Sequence, residues 1–342
     1  MILSWKKLLL ALPFAIQFLY VLQGVLAFPY ATGDAYGIWF LKAKVLYLSG
    51  WPGFLHFLQD SHFTYSHPSY PILLPLIFAG VYILSGQINE WLVMALYPLI
   101  YLLLVVLLYR LLKQQINKWW AYIGTFLWAT TPVIERAAGR FETGFADLPL
   151  SLTILIGTIY SLKFIEKPKW PYLVLAILGL GMAANIKFEG LLWLVSLLIA
   201  GLLVRQKKII RPLGLILIIS FMTIIPWLTV VSRYGLELDY AQNLNSVLIH
   251  LPRLPSIVWG WTGEIFKFRR WGLSWLAPLL ILVLSWRKIR ERPFLKLITL
   301  ALVMQILGES FIYLVSPIEV TGHLHASLYR LIIQNFRVIY II

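Results

Sequence analysis

Cysteine is absent from this sequence and charge is scarce. With no Cys in 342 residues, neither a disulfide framework nor a thiolate metal site is available. Only 13% of the residues are charged, where a soluble domain carries about 25%. Acids are the scarcer sign: 14 Asp and Glu stand against 29 Lys and Arg, a net charge of +15. A balance that basic can mark a nucleic-acid binder. Here the cations sit in short clusters between apolar stretches and form no stripe with interleaved aromatics, which excludes nucleic acid as a partner. Hydrophobic residues make up 60% of the chain and the mean hydropathy is +0.81. Apolar runs of about 20 residues recur, the length that a hydrocarbon core ~30 Å thick demands. The composition predicts an all-α polytopic membrane protein.

The cation clusters orient it. Lys6 and Lys7 precede an apolar run too long for the core of a cleaved signal peptide, so the reading is a retained first span with a cytoplasmic N-terminus. Further spans fall at about 91–112, 119–134, 148–165, 170–186, 188–204, 212–231, 271–286 and 294–315. Between them lie clusters around Arg110–Lys118, Lys163–Lys169, Arg205–Arg211 and Arg287–Lys296. Placing every cluster inside requires an even number of spans between neighbours, and two fit each time. Segment 71–86 alone disturbs the count. It has 16 residues with Pro71 and Pro75 and no cation after it, so it reads as an interfacial or half-inserted helix in a long first outer loop, 29–90. Nine spans result, with a tenth beginning near 331. Ile342 follows too soon for that one to cross, which leads us to expect a truncated C-terminus. On this topology 17 of the 29 cations and 2 of the 14 acids lie inside, while the outer side holds 12 of each. All the net charge is then cytoplasmic. The chain reads as one membrane domain, 1–342, with outer loops at 29–90, 135–149, 232–270 and 316–330 and a tight outer turn at 185–190.

Ionisable groups at a bilayer rim are costly, and several on one side point to function. Four outer segments carry them: FPYATGDAYGIWFLKAK running on to DSHFTYSHPSYP, ERAAGRFETGFADLP, NIKFEG, and SPIEVTGHLHASLYR. Plainer roles exist for each. Asp34 follows Thr32-Gly33 and precedes an amphipathic run with Tyr36, Trp39 and Phe40 on one face and Lys42 and Lys44 on the other, so a helix cap would explain it. Asp147, before Leu148-Pro149, fits a cap equally well. Lys187 and Glu189 would pair with each other or snorkel to headgroups. Arg330 would bind an anionic headgroup. Asp60, His62 and His67 are ligand-type residues at a spacing that matches no metal motif. Tyr and Trp, 33 residues together, read as interfacial belt.

Taken in order, these segments resemble the GT-C glycosyltransferases, in the branch of protein O-mannosyltransferases, lipid A aminoarabinose transferase and Rgt-type sugar transferases. GDAYGIWFLKAK carries that branch's outer-loop Asp, and HPSYP (67–71) its His-Pro-x-Tyr-Pro; GFADLPLSL (144–152) is similar to its Ala-Asp-x-Pro-Leu signature. NIKFEGLLWL is similar to its Lys-x-Glu-Gly element, and YLVSPIEVTGHLHASLYRLIIQ (313–334) to its closing His, Ser and Arg at His323, Ser327 and Arg330. The resemblance implies a GT-C-like fold of about 9–10 transmembrane helices, with interfacial helices in the first outer loop. It implies an enzyme moving a sugar from a polyprenyl-phosphate donor to a hydroxyl on a lipid, glycan or protein acceptor, at the outer face. Asp34 matches the family's catalytic base. Arg330, helped by Lys187 and His323, would take the phosphate, because a guanidinium binds phosphate oxygens as a fork and stays charged. Asp147 and Glu189 would orient sugar or acceptor, or hold the cations; Glu142 is a weaker candidate. Some members of that branch use a divalent metal and others do not, so no cofactor is certain and a divalent metal stays open. The competing class is a lipid or sugar transporter or flippase. Against it, the chain shows no internal repeat, and apart from Glu309 its ionisable residues lie at the rims.

The topology is open to test. Single cysteines at Gln59, Thr143 and Thr321 should react with an impermeant maleimide in whole cells, and cysteines at Gln115 and Gln206 only after lysis. Labelling of Gln115 from outside would mean that 71–86 crosses the membrane.

Overall fold

Hydrocarbon offers a backbone no water to bond to, so a spanning chain must satisfy its N–H and C=O groups internally. The computed structural model, which describes residues 5–27, 32–238, 247–275 and 286–339, meets that demand with helix. It is 84% helical, and no strand occurs among the described residues. The main helices are α1 (Trp5–Ala27), α2 (Leu41–Gln59), α3 (Leu73–Ser85), α4 (Leu96–Gln115), α5 (Lys118–Ala129), α6 (Pro132–Gly139), α7 (Asp147–Glu166), α8 (Trp170–Ile186), α9 (Phe188–Val204), α10 (Lys207–Met222), α11 (Ile225–Arg233), α12 (Leu254–Ile265), α13 (Pro293–Val315) and α14 (Val320–Ile339).

Among the described residues, four stretches are long and apolar enough to cross a membrane: Leu9–Ala27, Glu90–Gln115, Asp147–Glu166 and Pro293–Val315. The pair α10 and α11, bent by 42°, makes a broken fifth. α3, α8 and α9 are apolar but shorter; α8 and α9, at 17 residues each, extend about 25 Å. The expected span at 271–286 lies mostly outside the described residues. α3 has 13 residues, about 20 Å, and ends at Gly86 in the left-handed region.

Three expectations need correction. The span expected at 119–134 is two helices. The hydroxyls of Thr130 and Thr131 donate back to the carbonyls of Phe126 and Leu127, at 2.9 and 3.0 Å, and Pro132, which has no N–H to continue the ladder, starts α6. The segment 316–330 is not a loop up to a new span at 331, because α14 begins at Val320 and runs through both. Lys42 does not share a solvated face with Lys44. Residues Ala35–Phe40 form a π-helical turn, and in the α-helix that follows it two residues two positions apart point about 200° from each other. Lys42 is thereby turned into the interior, fully buried, while Lys44 pairs with Glu90 at 2.5 Å. Thr143 is buried as well, whereas Gln59 and Thr321 are exposed, which makes the latter two the better outer reporters.

The scaffold behind the polar ends is packed by small residues, as lipid-embedded helices require. α7 lies along α8, α9 along α13, and α14 against α7, α12 and α13. At the α7–α8 crossing a Cβ on Gly157 would stand 2.7 Å from the Leu180 nitrogen, and one on Gly179 would stand 2.4 Å from the Gly157 nitrogen. Both obstacles are backbone, so neither can rotate away. Gly179→Val should therefore lower thermal stability in detergent by about 1–3 kcal/mol or more. Gly80→Ala, where a Cβ meets nothing within 4 Å, should be silent; equal melting of the two variants would remove this crossing from the fold's essential contacts.

Candidate active site

Residues from three of the four polar segments line a cavity of about 500 Å³, among them Asp34, Lys187, Glu189, His323 and Arg330, and Asp147 of the fourth adjoins it through Arg330. Each arrives by a local feature of the sequence. Asp34 follows Gly33, which sits at φ +51, and leads into the π-helical turn. Its side chain makes no capping bond; instead it accepts from Arg330 Nη1 at 2.5 Å. Asp147 is the first residue of α7, with Ala146 in the cap position and no side-chain cap bond. It is 1% exposed and accepts from Arg330 Nε at 2.8 Å and Gln334 Nε2 at 2.6 Å. For both aspartates the capping reading gives way to binding of α14.

Gly144 brings the two aspartates together. It holds φ +95, and a Cβ there would lie 2.6 Å from the Phe40 ring and 2.9 Å from the Ala35 side chain. The loop before Asp147 thus rests directly on the turn after Asp34, which only glycine permits. Lys187 breaks the α8–α9 hairpin as a single extended residue, φ −158 and ψ 153. Its ammonium is 2.6 Å from Glu189 and 3.5 Å from Asp147. Burial works against its charge, but the Glu189 and Asp147 carboxylates outweigh that and hold its pKa above the ordinary lysine range. It is buried, so snorkelling does not describe it. Arg330, 9% exposed, lies with its guanidinium 4.6 Å from the Phe145 ring centre, and a headgroup-only role does not fit that burial.

His323, Ser327 and Arg330 share the cavity face of α14. Ser327 bonds the Tyr313 hydroxyl at 2.8 Å, and the His323 ring meets the Tyr313 ring edge-on at 4.8 Å. Burial pushes His323 below the usual histidine range, so it is neutral at pH 7. It borders the cavity on the Tyr313 side, next to the carboxylate cluster.

Other candidates are apart. Glu142 is buried off the cavity, taking bonds from Arg136 at 2.6 Å and the Tyr329 hydroxyl at 3.2 Å, and burial raises its pKa. Glu309 is buried in α13 and takes bonds from Gln305 and Asn335 at 2.8 Å each. Asp60 and His62 meet at 2.7 Å on the surface, while His67 stands in the cavity wall; the triple is not one site. Among the described residues no group of three His, Asp or Glu converges as a metal cage would. Sequence reading missed Gln334, Phe145 and Phe188, and gave no role in the cavity to His67 and Tyr70 of the HPSYP motif it brought forward. The i, i+4 spacing of Arg330 and Gln334 was the available signal for the first.

Three carboxylates, Asp34, Asp147 and Glu189, thus surround two cations, Arg330 and Lys187, and the neutral His323 leaves one negative charge in excess. The arginine's Nε and Nη1 are taken by different aspartates.

The chemistry this cluster suits is that of a sugar transferase, and comparison with known families agrees. Residues 67–229 match the family model described as dolichyl-phosphate-mannose-protein mannosyltransferase. The match bears out the GT-C resemblance of the motifs, and the matched family implies a glycosyltransferase of the GT-C type in a membrane setting. It spans the HPSYP motif, Asp147, Lys187 and Glu189, and leaves Asp34 and α14 outside. No curated protein and no solved structure matches the chain.

Arg330 bridges two carboxylates that a single ammonium cannot reach together with the same geometry. Arg330→Lys should therefore be nearly as damaging as Arg330→Ala. Removing the guanidinium strands a buried carboxylate, at about 3–5 kcal/mol. Sugar transfer and thermal melting in nanodiscs check this, and a fully active lysine variant would dismiss the fork.

Proposed function

We propose that the protein transfers a sugar from a polyprenyl-phosphate donor to a hydroxyl acceptor at the outer face of the membrane, with the N-terminus in the cytoplasm. The observation that carries this reading is the Asp34–Arg330 pair on the wall of the cavity: a carboxylate able to take a proton, held by a guanidinium able to take a phosphate. The acceptor oxygen attacks the anomeric carbon and a new glycosidic C–O bond forms. The bond from that carbon to the phosphate oxygen breaks, and polyprenyl phosphate leaves with the electron pair. The hydroxyl proton passes to Asp34.

Arg330 cannot hold Asp34 and a phosphate through the same N–H. Asp34 and Asp147 take two of the five N–H donors of the guanidinium; a donor phosphate that competes for Nη1 draws Arg330 off Asp34 and frees the base for the acceptor. Nε stays on Asp147, which keeps the guanidinium oriented. Lys187, held by Glu189, adds positive potential as charge develops on the leaving oxygen. His323 and Glu189 border the donor and acceptor space.

Asp34→Asn keeps the shape and loses the basicity. Turnover should fall on the order of 10²–10⁴, while donor affinity holds or rises because the competitor for Arg330 has gone. The assay is release of polyprenyl phosphate, dependent on both donor and acceptor, beside equilibrium binding of the donor. Near-normal turnover, or donor binding that weakens with the charge, would overturn the assignment. A transporter would move the donor without releasing polyprenyl phosphate.

A further inference from the structure

The HPSYP motif forms a wall of the cavity whose construction the charge cluster does not explain. His67 lies at φ 51 and ψ 70, a left-handed conformation uncommon outside glycine, immediately before Pro68. Its carbonyl oxygen accepts from Lys42 Nζ at 2.6 Å. Lys42 is fully buried, an expensive place for an ammonium, and lies 5.9 Å from the Tyr70 ring centre. The His67 and Tyr70 rings stack at 4.6 Å with 19° between planes. Behind them Trp39, itself buried, meets Tyr70 at 6.0 Å, and Phe188 meets it edge-on at 5.9 Å. The Trp227 indole N–H donates to the Ser69 carbonyl at 2.9 Å, pinning the turn to α11. His67, Tyr70 and Phe188 all line the cavity that holds Asp34 and Arg330.

A rigid, braced aromatic surface beside charged groups is what a pyranose ring needs. One face of such a ring is C–H, suited to an aromatic face, and its edge is hydroxyl, suited to carboxylates. We infer that the His67–Tyr70 stack is the surface on which the transferred sugar lies, with Lys42 as the positioning residue that fixes His67 through its carbonyl. This rests on the donor reading above. It divides donor recognition in two: the cations read the phosphate, and the aromatic wall reads the sugar.

The test is binding in nanodiscs of farnesyl phosphate, bare and carrying mannose, glucose, galactose or a 4-aminopentose. The wild type should bind one sugar-bearing probe more tightly than the bare phosphate. His67→Asn removes the ring but tolerates the left-handed backbone, and Tyr70→Leu removes the stack. Each should lose about threefold to tenfold of affinity for that probe, with the bare phosphate unaffected and KM rising more than kcat falls. Lys42→Met should show the same selective loss; if it does not fold, the His67 and Tyr70 variants carry the test. Equal loss for bare and sugar-bearing probes, no loss, or a wild type indifferent to every sugar overturns the inference and leaves the donor reading standing. A wild type that binds no farnesyl phosphate overturns both.

Discussion

Arg330 sits between two carboxylates contributed by segments 296 and 183 residues away in the chain. Nearly buried, it is tolerable in a region of low dielectric only because both aspartates and the Phe145 ring replace the water it lost. The dependence runs both ways. Asp147 has no other full neutraliser, since Lys187 is shared with Glu189 and stands farther off. Two unit charges about 4 Å apart interact by about 4 kcal/mol at an effective dielectric of 20, so these contacts outweigh any single hydrogen bond in the region. Through them the segment after α1, the start of α7, the α8–α9 turn and α14 are held at one point.

Small residues make that convergence possible. Gly157 and Gly179 let α7 and α8 touch along their backbones, which sets Asp147 beside the turn that carries Lys187. Gly144 lets the loop ahead of Asp147 lie on the turn after Asp34. The signature GFADLP thus has a mechanical content. The glycine supplies the approach, the aspartate the charge, and the proline a first-turn residue whose missing N–H costs little.

Much of the cluster is legible in the sequence. Composition and charge clustering point to the all-helical membrane class, and motif order brings forward Asp34, Asp147, Lys187, Glu189, His323 and Arg330, all of which lie in or against the cavity. The failures have definite causes. Lys42 reads as solvated because its charge outweighs its place on the helix, about 200° round from Lys44 and near the buried Trp39. The 119–134 run reads as one span because apolar content does not reveal the Thr130-Thr131-Pro132 break, where side-chain hydroxyls take over the backbone's bonding. The aromatic wall goes unread because 33 Tyr and Trp in a membrane protein make any one of them look like interfacial belt. Capping and charge pairing cannot be told apart for either aspartate, because both predict an acid before a helix; only the partner across space decides.

The excess negative charge of the cluster bears on the reaction itself. On the reading proposed above, the donor is a phosphodiester that arrives with one negative charge and leaves as a monoester carrying two when ionised. On the proposed course, Asp34 accepts one proton in the same event and loses its charge. One unit of negative charge therefore moves from the Asp34 side of Arg330 to the phosphate side, and the total around the guanidinium stays constant. Solvent has little reorganisation to perform, which is what a partly desolvated site at a membrane rim requires. The resting pair of Asp34 and Arg330 is then the charge arrangement of the reaction run in reverse. On that proposed course the carboxylate holds the place on Arg330 that the product phosphate later occupies, so the arginine is never left without an anion.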